Sequence, residues 1–205
     1  MEPRWKTGRL EAFSDGVLAI AITLLVLDIK IDPADLDHLW KALADEWPSY
    51  LAYVTSFFTI GGVWIAHHAL FERLRSVDSV LLRLNLLLLL AVSFLPFPTG
   101  LMADALRESA TAERAAIVVY GATALVIELL MAAASRYAAT RPELLREDVA
   151  PHRLEHKRGG ARAALYGIAV VLGVLIFPRI AAFGYFAVAA LSVLSPRGEL
   201  KLTLR

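Results

Sequence analysis

The sequence predicts an all-α membrane protein that crosses the bilayer six times. Of its 205 residues, 58% are hydrophobic and the mean hydropathy is +0.58, whereas soluble domains contain about 45–50% apolar residues. The apolar residues are grouped in six runs, most of them close to the roughly 17–25 residues that one transmembrane helix needs. Six spans leave little chain for a second domain, so residues 1–205 are predicted to form a single transmembrane domain.

The six predicted spans cover about 12–30, 48–71, 79–101, 113–135, 162–178 and 180–195. The last two are separated only by Pro178 and Arg179, so they are interpreted as a tight hairpin, because an interior proline interrupts a helix. The first run contains "AIA", which resembles a signal-peptidase site, but further apolar residues follow it. The first run is therefore predicted to be a retained helix.

The basic residues predict the orientation, because Lys and Arg accumulate in short cytoplasmic loops. With the N-terminus inside, 16 basic residues lie in the inner segments and 5 in the outer ones. This distribution favours an even number of spans with both termini in the cytoplasm. The first outer loop is acidic, from Asp32 to Glu46; it either concentrates cations near an outer mouth or is simply a solvated loop.

Composition and motifs exclude several classes of function. A net charge of +1 gives no support for nucleic-acid binding, and the absence of cysteine excludes thiol chemistry and Cys-based metal sites. The sequence contains no Walker loop, no His-Glu-x-x-His and no nucleophile elbow, so no enzyme and no cofactor are predicted. It also lacks the carbonyl filter sequence of potassium channels and an arginine ladder. If ions cross, side chains on helices must select them.

Polar residues of the first three spans are predicted to lie at one depth. Asp15 lies six residues after Arg9, His67 five before Glu72, and Asn85 seven after Asp78. At 1.5 Å per residue, and with alternating helix directions, each lies roughly 8–11 Å from the inner boundary. Ser14 and Trp64 lie close enough along the chain to join them.

Helical phase separates Asp15 from an apolar stripe of the first span. At about 100° per residue, one stripe carries Phe13, Val17, Ile20, Leu24 and Leu27. Thr23 lies about 60° to the side of this stripe, and Asp15 about 140° from Ile20. If Asp15 faces neighbouring helices, the stripe faces lipid, a partner subunit or a shared axis.

Simpler interpretations stay open for these polar residues. Asp15 could be no more than a carboxylate stabilised by a helix N-terminus together with Ser14. His68 fits an interfacial position near headgroups, whereas His67 is favoured as the network member, and no metal site is predicted for the pair. Glu128 in the fourth span either carries protons or pairs with a neighbouring helix.

Three segments resemble the transmembrane protein 175 family of endosomal and lysosomal potassium channels. The first is Arg9-Leu-Glu-Ala-Phe13-Ser14-Asp15 with the following "GVLAIAITLLVLDI"; the others are "WIAHH" at 64–68 and "LNLLLLLAVSFLPFPT" at 84–99. The resemblance covers the first three spans, and the remaining three only by hydropathy. It implies four six-helix subunits around a central pore that is lined by the first helix.

The resemblance also implies roles for individual residues. Ile20 matches the hydrophobic constriction, Leu24 and Leu27 match the next pore layers, and Thr23 matches a hydroxyl that favours potassium. A structural network is implied for Arg9, Phe13, Ser14, Asp15, Trp64, His67 and Asn85. The only ligand implied is the permeant K⁺ ion, and the partners implied are the lipid bilayer of a prokaryotic cell membrane and further copies of the chain.

Two other functions remain alternatives at this point. One is a proton-coupled transporter or proton pathway that uses Asp15, His67 and Glu128. The other is a membrane scaffold that conducts nothing. A ring of apolar side chains can close a pore by excluding water, which favours the channel.

Overall fold

The computed structural model of the protein describes residues 5–149, 164, 167–168 and 178–194. Within these residues the regular structure is helical, and two isolated backbone bridges form no strand. The helices are α1 (Thr7–Leu24), α2 (Leu39–Asp45), α3 (Trp47–Phe71), α4 (Ser79–Phe94), α5 (Pro96–Ala105), α6 (Ala110–Ala139) and α7 (Pro178–Leu194). Short 3₁₀ turns cover Leu25–Asp28, Pro33–His38 and Pro142–Leu144.

The predicted all-α membrane fold is confirmed. Four segments are long and apolar enough to span a bilayer, and they correspond to the first four predicted spans: Thr7–Asp28, Trp47–Phe71, Ser79–Ala105 and Ala110–Ala139. The sixth predicted span corresponds to α7, a shorter apolar helix of 17 residues. The fifth, 162–178, falls almost entirely outside the described residues.

The third span is longer than predicted and is broken by a proline. Helix α4 begins at a cap in which the Leu81 amide donates to Asp78 Oδ1 at 2.9 Å. It ends at Phe94 with Leu95 as its C-cap, and Pro96 starts α5, a position that suits proline because the first helical turn needs no amide donor. The apolar segment therefore continues to Ala105, four residues beyond the predicted end.

The helices define two ends of the protein, which we call the inner and outer faces. Helix α1 starts at the inner face and runs parallel to α4 and α5, since Ser14 contacts Asn85 and Asp28 contacts Gly100. Helices α3, α6 and α7 run the opposite way. Helix α6 thus ends at the inner face, while α7 begins at the outer face.

Small residues and hydroxyl groups pack the helices closely. A Cβ atom added to Gly62 on α3 would overlap the side chain of Ser192 on α7. Between α3, α5 and α6, Ser56 Oγ lies 2.7 Å from Thr99 Oγ1 and 3.2 Å from the Tyr120 hydroxyl. Close backbone approach and interhelical hydrogen bonds are typical of helix association in membranes.

At the inner face, backbone hydrogen bonds join three chain segments. The Trp5 and Val77 backbones exchange two hydrogen bonds of 2.9 Å each, and Leu74 is bridged to Leu145. The residues after α3 thereby connect the start of α1 to the turn that follows α6. This arrangement holds the inner end of α1.

Candidate ion pore and polar network

Helix α1 has one face in the protein core and one face that the described part of the chain leaves exposed. Ser14, Leu18, Ala21 and Leu25 are buried against the other helices. The exposed fractions are 61% for Ile20, 43% for Leu24 and 61% for Leu27. Most of the predicted apolar stripe therefore lies on the exposed side, where a partner, lipid or a pore must cover it, whereas Val17 packs partly against the core.

Asp15 is turned toward α3. Its Oδ1 accepts a hydrogen bond of 2.9 Å from Trp64 Nε1. The Trp64 ring in turn stacks on the His68 ring, with the planes 16° apart. The carboxylate therefore connects α1 to α3 instead of pointing along the apolar stripe.

Ser14, His67 and Asn85 join α1, α3 and α4 in the interior. Asn85 Nδ2 donates to Ser14 Oγ at 2.9 Å, and Ser14 Oγ donates to the Leu10 carbonyl at 2.8 Å. Asn85 Oδ1 is then the acceptor for His67 Nε2 at 2.8 Å, which requires the proton of a neutral His67 on Nε2. His67 Nδ1 is buried and has no hydrogen-bond partner among the described residues, and its ring stacks on Phe71.

The two adjacent histidines have different surroundings. His67 is buried and hydrogen-bonds to Asn85, whereas His68 is half exposed. The nitrogens of His68 lie 3.5 Å from Glu11 and 3.3 Å from Glu72. It is His67, therefore, that meets Asn85 in the interior.

Two residues of the network implied by resemblance are not brought into it. Arg9 is exposed and makes no hydrogen bond or ion pair with the rest of the described chain. Phe13 is also exposed, on the same side of α1 as Ile20. Roles for Arg9 and Phe13 in the network remain predictions.

Thr23 lies on the exposed side of α1 next to the stripe. Its hydroxyl donates to the Ile20 carbonyl at 2.8 Å, one turn back along the helix. The proton of this hydroxyl is therefore occupied, while the oxygen retains a lone pair that can face a cation.

An ion pair at the outer face was not foreseen from the sequence. Arg107, after α5, donates to both carboxylate oxygens of Glu46 at 2.8 and 2.6 Å, and to Ser49 Oγ at 3.0 Å. The hydrogen bonds from Arg107 hold the pKa of Glu46 below its usual value and raise the pKa of Arg107. The sequence does carry one signal for this pair: Glu46 precedes α3 and Arg107 follows α5, so opposite charges lie at the outer ends of two spans.

A cavity of about 700 Å³ adjoins this ion pair at the outer face. Charged residues of both signs line it, among them Asp28, Lys30, Asp32, Asp104 and Arg107. In the described part of the chain, no group of three or more His, Asp or Glu residues could hold a metal ion.

Comparison with known proteins identifies the family. Residues 9–96 match the family model described as the endosomal/lysosomal potassium channel TMEM175. A protein named as a potassium channel from Streptomyces collinus is 53% identical over 114 residues, which are 55% of this chain and 55% of that protein. Another, from Chamaesiphon minutus, is 41% identical over 153 residues, 73% of this chain and 74% of that protein.

A solved structure agrees with the sequence relatives. The crystal structure of a lysosomal potassium-selective channel TMEM175 homologue from Chamaesiphon minutus superposes with a TM-score of 0.81 and 36% identity, over 92% of this chain and 97% of that one. The human endosomal/lysosomal proton channel TMEM175 is 45% identical over 97 residues, which span 43% of this chain but only 19% of the human protein. The chain therefore belongs to the TMEM175 family, a family of membrane ion channels and not of enzymes.

Proposed function

We propose that the chain is a potassium-permeable cation channel with a side-chain constriction and no carbonyl filter. In this proposal four copies surround a central pore, and α1 of each copy lines it. Ile20 forms the constriction, Leu24 and Leu27 form the next layers, and the Thr23 hydroxyls favour K⁺. The proposal treats residues 1–205 as one channel domain.

The observation that carries this proposal is the division of α1 into two faces. Ser14 and Asp15 are held by Asn85 and Trp64 on the protein side, while none of the residues that the structure describes covers Ile20, Leu24 or Leu27 fully. A narrow ring of such side chains excludes water when closed, and a small movement can rewet it. Discrimination between K⁺ and Na⁺ by this ring and Thr23 is expected to be weaker than in a carbonyl filter.

We also propose that the protein lies in the cell membrane of a prokaryote with both termini in the cytoplasm. The excess of basic residues on the inner side supports this orientation. The start of α7 at the outer face, after α6 has ended at the inner face, is compatible with an even number of spans.

Potassium flux in liposomes tests the pore assignment. We expect Ile20→Ala to increase K⁺ flux and to lower K⁺ over Na⁺ selectivity, because a smaller side chain widens the constriction. Leu90→Ala is the matched control, since Leu90 is 65% exposed, like Ile20, but belongs to α4 and not to the helix proposed to line the pore. Unchanged flux in variants of Ile20, Leu24 and Leu27, combined with loss of flux in Asp15→Asn, would show that the stripe does not line the pore.

A second candidate is proton conduction, favoured by the name of the human relative as a proton channel. Asp15 accepts a half-exposed hydrogen bond from Trp64, His67 is hydrogen-bonded to Asn85 in the interior, and Glu128 is buried in α6. A pH-sensitive dye inside potassium-loaded liposomes separates the two: proton flux that survives Ile20→Phe while K⁺ flux is lost would indicate a separate proton path.

A further inference from the structure

The end of the pore-lining helix changes its geometry at Leu25. Helix α1 ends at Leu24, and Leu25–Asp28 form a 3₁₀ turn that closes with the Ile29 amide donating to the Val26 carbonyl at 3.2 Å. A 3₁₀ turn advances about 120° per residue, against about 100° in an α-helix. The side chains of this turn therefore point elsewhere than a continuous α-helix would direct them.

This change decides which side chain follows Leu24 along the uncovered stripe. In a continuous α-helix, Asp28 would lie about 40° from Leu24 and Leu27 about 60° from it. In the 3₁₀ turn, Leu27 lies almost directly above Leu24, while Asp28 is turned about 120° away. Leu25 and Asp28 then share the protein side, in agreement with the complete burial of Leu25 and the exposure of Leu27.

Asp28 meets a glycine on that protein side. A Cβ atom added to Gly100 of α5 would lie 3.0 Å from Asp28 Cγ and 3.1 and 3.2 Å from its two carboxylate oxygens. These distances are shorter than ordinary van der Waals contacts, so a larger residue at position 100 would require the Asp28 carboxylate to move by a few tenths of an ångström. The other side of Asp28 borders the outer cavity, which leaves the charge open to solvent.

We infer that Gly100 and Asp28 are positioning residues that set the chemistry of the outer pore. Their contact holds the last turn of α1 in the 3₁₀ form, which keeps Leu27 in the pore-facing stripe and the carboxylate out of it. Without the contact, the turn relaxes toward an α-helix and brings a ring of four carboxylates to the outer pore. Such a ring binds divalent cations, whereas a ring of leucines does not.

This inference rests on the proposed function, because the stripe matters only if α1 lines a pore. The test is Gly100→Ala, recorded as single-channel or macroscopic K⁺ current in planar bilayers with Ca²⁺ added on the outer side. We expect the Ca²⁺ concentration that inhibits the current to be at least about tenfold lower than in the parent. A modest shift of residues 25–28 from the 3₁₀ form to the α-helical form is enough to produce this ratio. Gly100→Ala combined with Asp28→Asn keeps the same shape but lacks the charge, and should return to the Ca²⁺ response of the parent.

Gly61→Ala is the matched control, because a Cβ atom there would meet only a Val193 methyl group at 4.0 Å. A Gly100→Ala channel that conducts with the Ca²⁺ response of the parent overturns the inference. Equal Ca²⁺ block in the double variant overturns it as well, because the block would then not come from the Asp28 charge.

A second measurement does not require Gly100→Ala to fold. The chain has no cysteine, so Leu24→Cys, Leu27→Cys and Asp28→Cys each introduce a single thiol. Cd²⁺ added on the outer side binds thiolates without placing a bulky group against Gly100, and the sulfur of Asp28→Cys takes the place of the Cγ atom that contacts this glycine. Cd²⁺ should therefore block the current of the first two variants and leave that of Asp28→Cys largely intact. If Leu24→Cys and Leu27→Cys both keep their current in Cd²⁺, the proposed pore is wrong; if they lose it and Asp28→Cys loses it equally, only the positioning role is wrong.

Discussion

The inner and outer halves of α1 are held by different kinds of contact. In the inner half, Ser14 and Asp15 form hydrogen bonds to side chains of α4 and α3. In the outer half, the one side-chain hydrogen bond from α1 within the described residues goes from Thr23 to its own backbone. There, buried Leu25 and the close contact of Asp28 with Gly100 hold the helix.

This difference shows how one helix can be fixed and still present a bare apolar surface. A hydrogen bond is directional, so two of them at adjacent residues specify the rotation of α1 about its axis. Apolar packing specifies the rotation less strictly, and it leaves Thr23 as the one polar side chain of α1 beside the outer part of the stripe. In the proposed channel, the inner half would therefore set the direction of Ile20, while the outer half would offer an ion mainly apolar side chains.

The largest effect is expected from removing the centre of the inner contacts. Asn85→Leu leaves the His67 and Ser14 side chains without their partner, and each orphaned buried group costs about 1–3 kcal/mol. We expect a markedly lower midpoint of thermal unfolding in detergent. We also expect higher K⁺ leak per folded channel, because the rotation of α1 is less well defined.

Ser93→Ala on the same helix is the control for Asn85→Leu. The exposed Ser93 hydroxyl donates only to the Leu90 carbonyl, so its loss should leave the unfolding midpoint near that of the parent. An Asn85→Leu channel as stable and as tight as Ser93→Ala would mean that the interior hydrogen bonds do not fix α1.

A smaller effect, of a different kind, is expected at the outer ion pair. The Glu46, Ser49 and Arg107 cluster connects the start of α3 to the turn after α5 without involving α1. Glu46→Gln should therefore lower stability at neutral pH by about 1–2 kcal/mol, since Arg107 is partly exposed. The K⁺ flux per folded channel should stay unchanged, in contrast to Asn85→Leu.

The pH dependence of stability provides a sharper measurement of the same pair. The pKa of Glu46 is lowered from its ordinary value of 4.5, so the unfolded chain takes up a proton before the folded one does. The stabilisation is complete above pH 4.5 and is lost as the pH falls through the folded pKa. Glu46→Gln should lack this acid-induced loss, whereas the exposed Glu147→Gln should retain it.

The inner contacts were easier to foresee from the sequence than the outer ones. The rise of 1.5 Å per residue holds throughout the inner halves of α1, α3 and α4, so counting residues predicted Asp15, His67 and Asn85 at one depth, with Ser14 and Trp64 close by. In the structure Asn85 contacts His67 and Ser14, while Asp15 contacts Trp64. The same regularity fails at Leu25, where the helix becomes a 3₁₀ turn whose Asp28 lies against Gly100, some 70 residues away in sequence. No local pattern encodes that contact.

Two further differences between the sequence prediction and the structure also arise from contacts between distant parts of the chain. Glu46 and Arg107 were counted as loop charges, because sequence gives no information on which side chains of two loops face each other. Arg9 was assigned to the network by resemblance alone, and within one chain it stays exposed outside it. Partners that depend on tertiary approach, or on another subunit, are not determined by spacing along a helix.

The smallest effect on stability is expected from removing the hydrogen bond between Trp64 and Asp15. Trp64→Phe keeps an aromatic ring to stack on His68 but removes the donor to Asp15, in a half-exposed position where such a bond contributes about 0.5–1.5 kcal/mol. We expect a decrease in the unfolding midpoint that is clearly smaller than the decrease caused by Asn85→Leu, together with a detectable rise in K⁺ leak.

Trp40→Phe on α2 is the control, because Trp40 is almost fully exposed and makes no hydrogen bond within the described chain. If Trp64→Phe destabilises the channel as much as Asn85→Leu, the charged contact to Asp15, and not the buried amide, is the main determinant of how α1 is rotated.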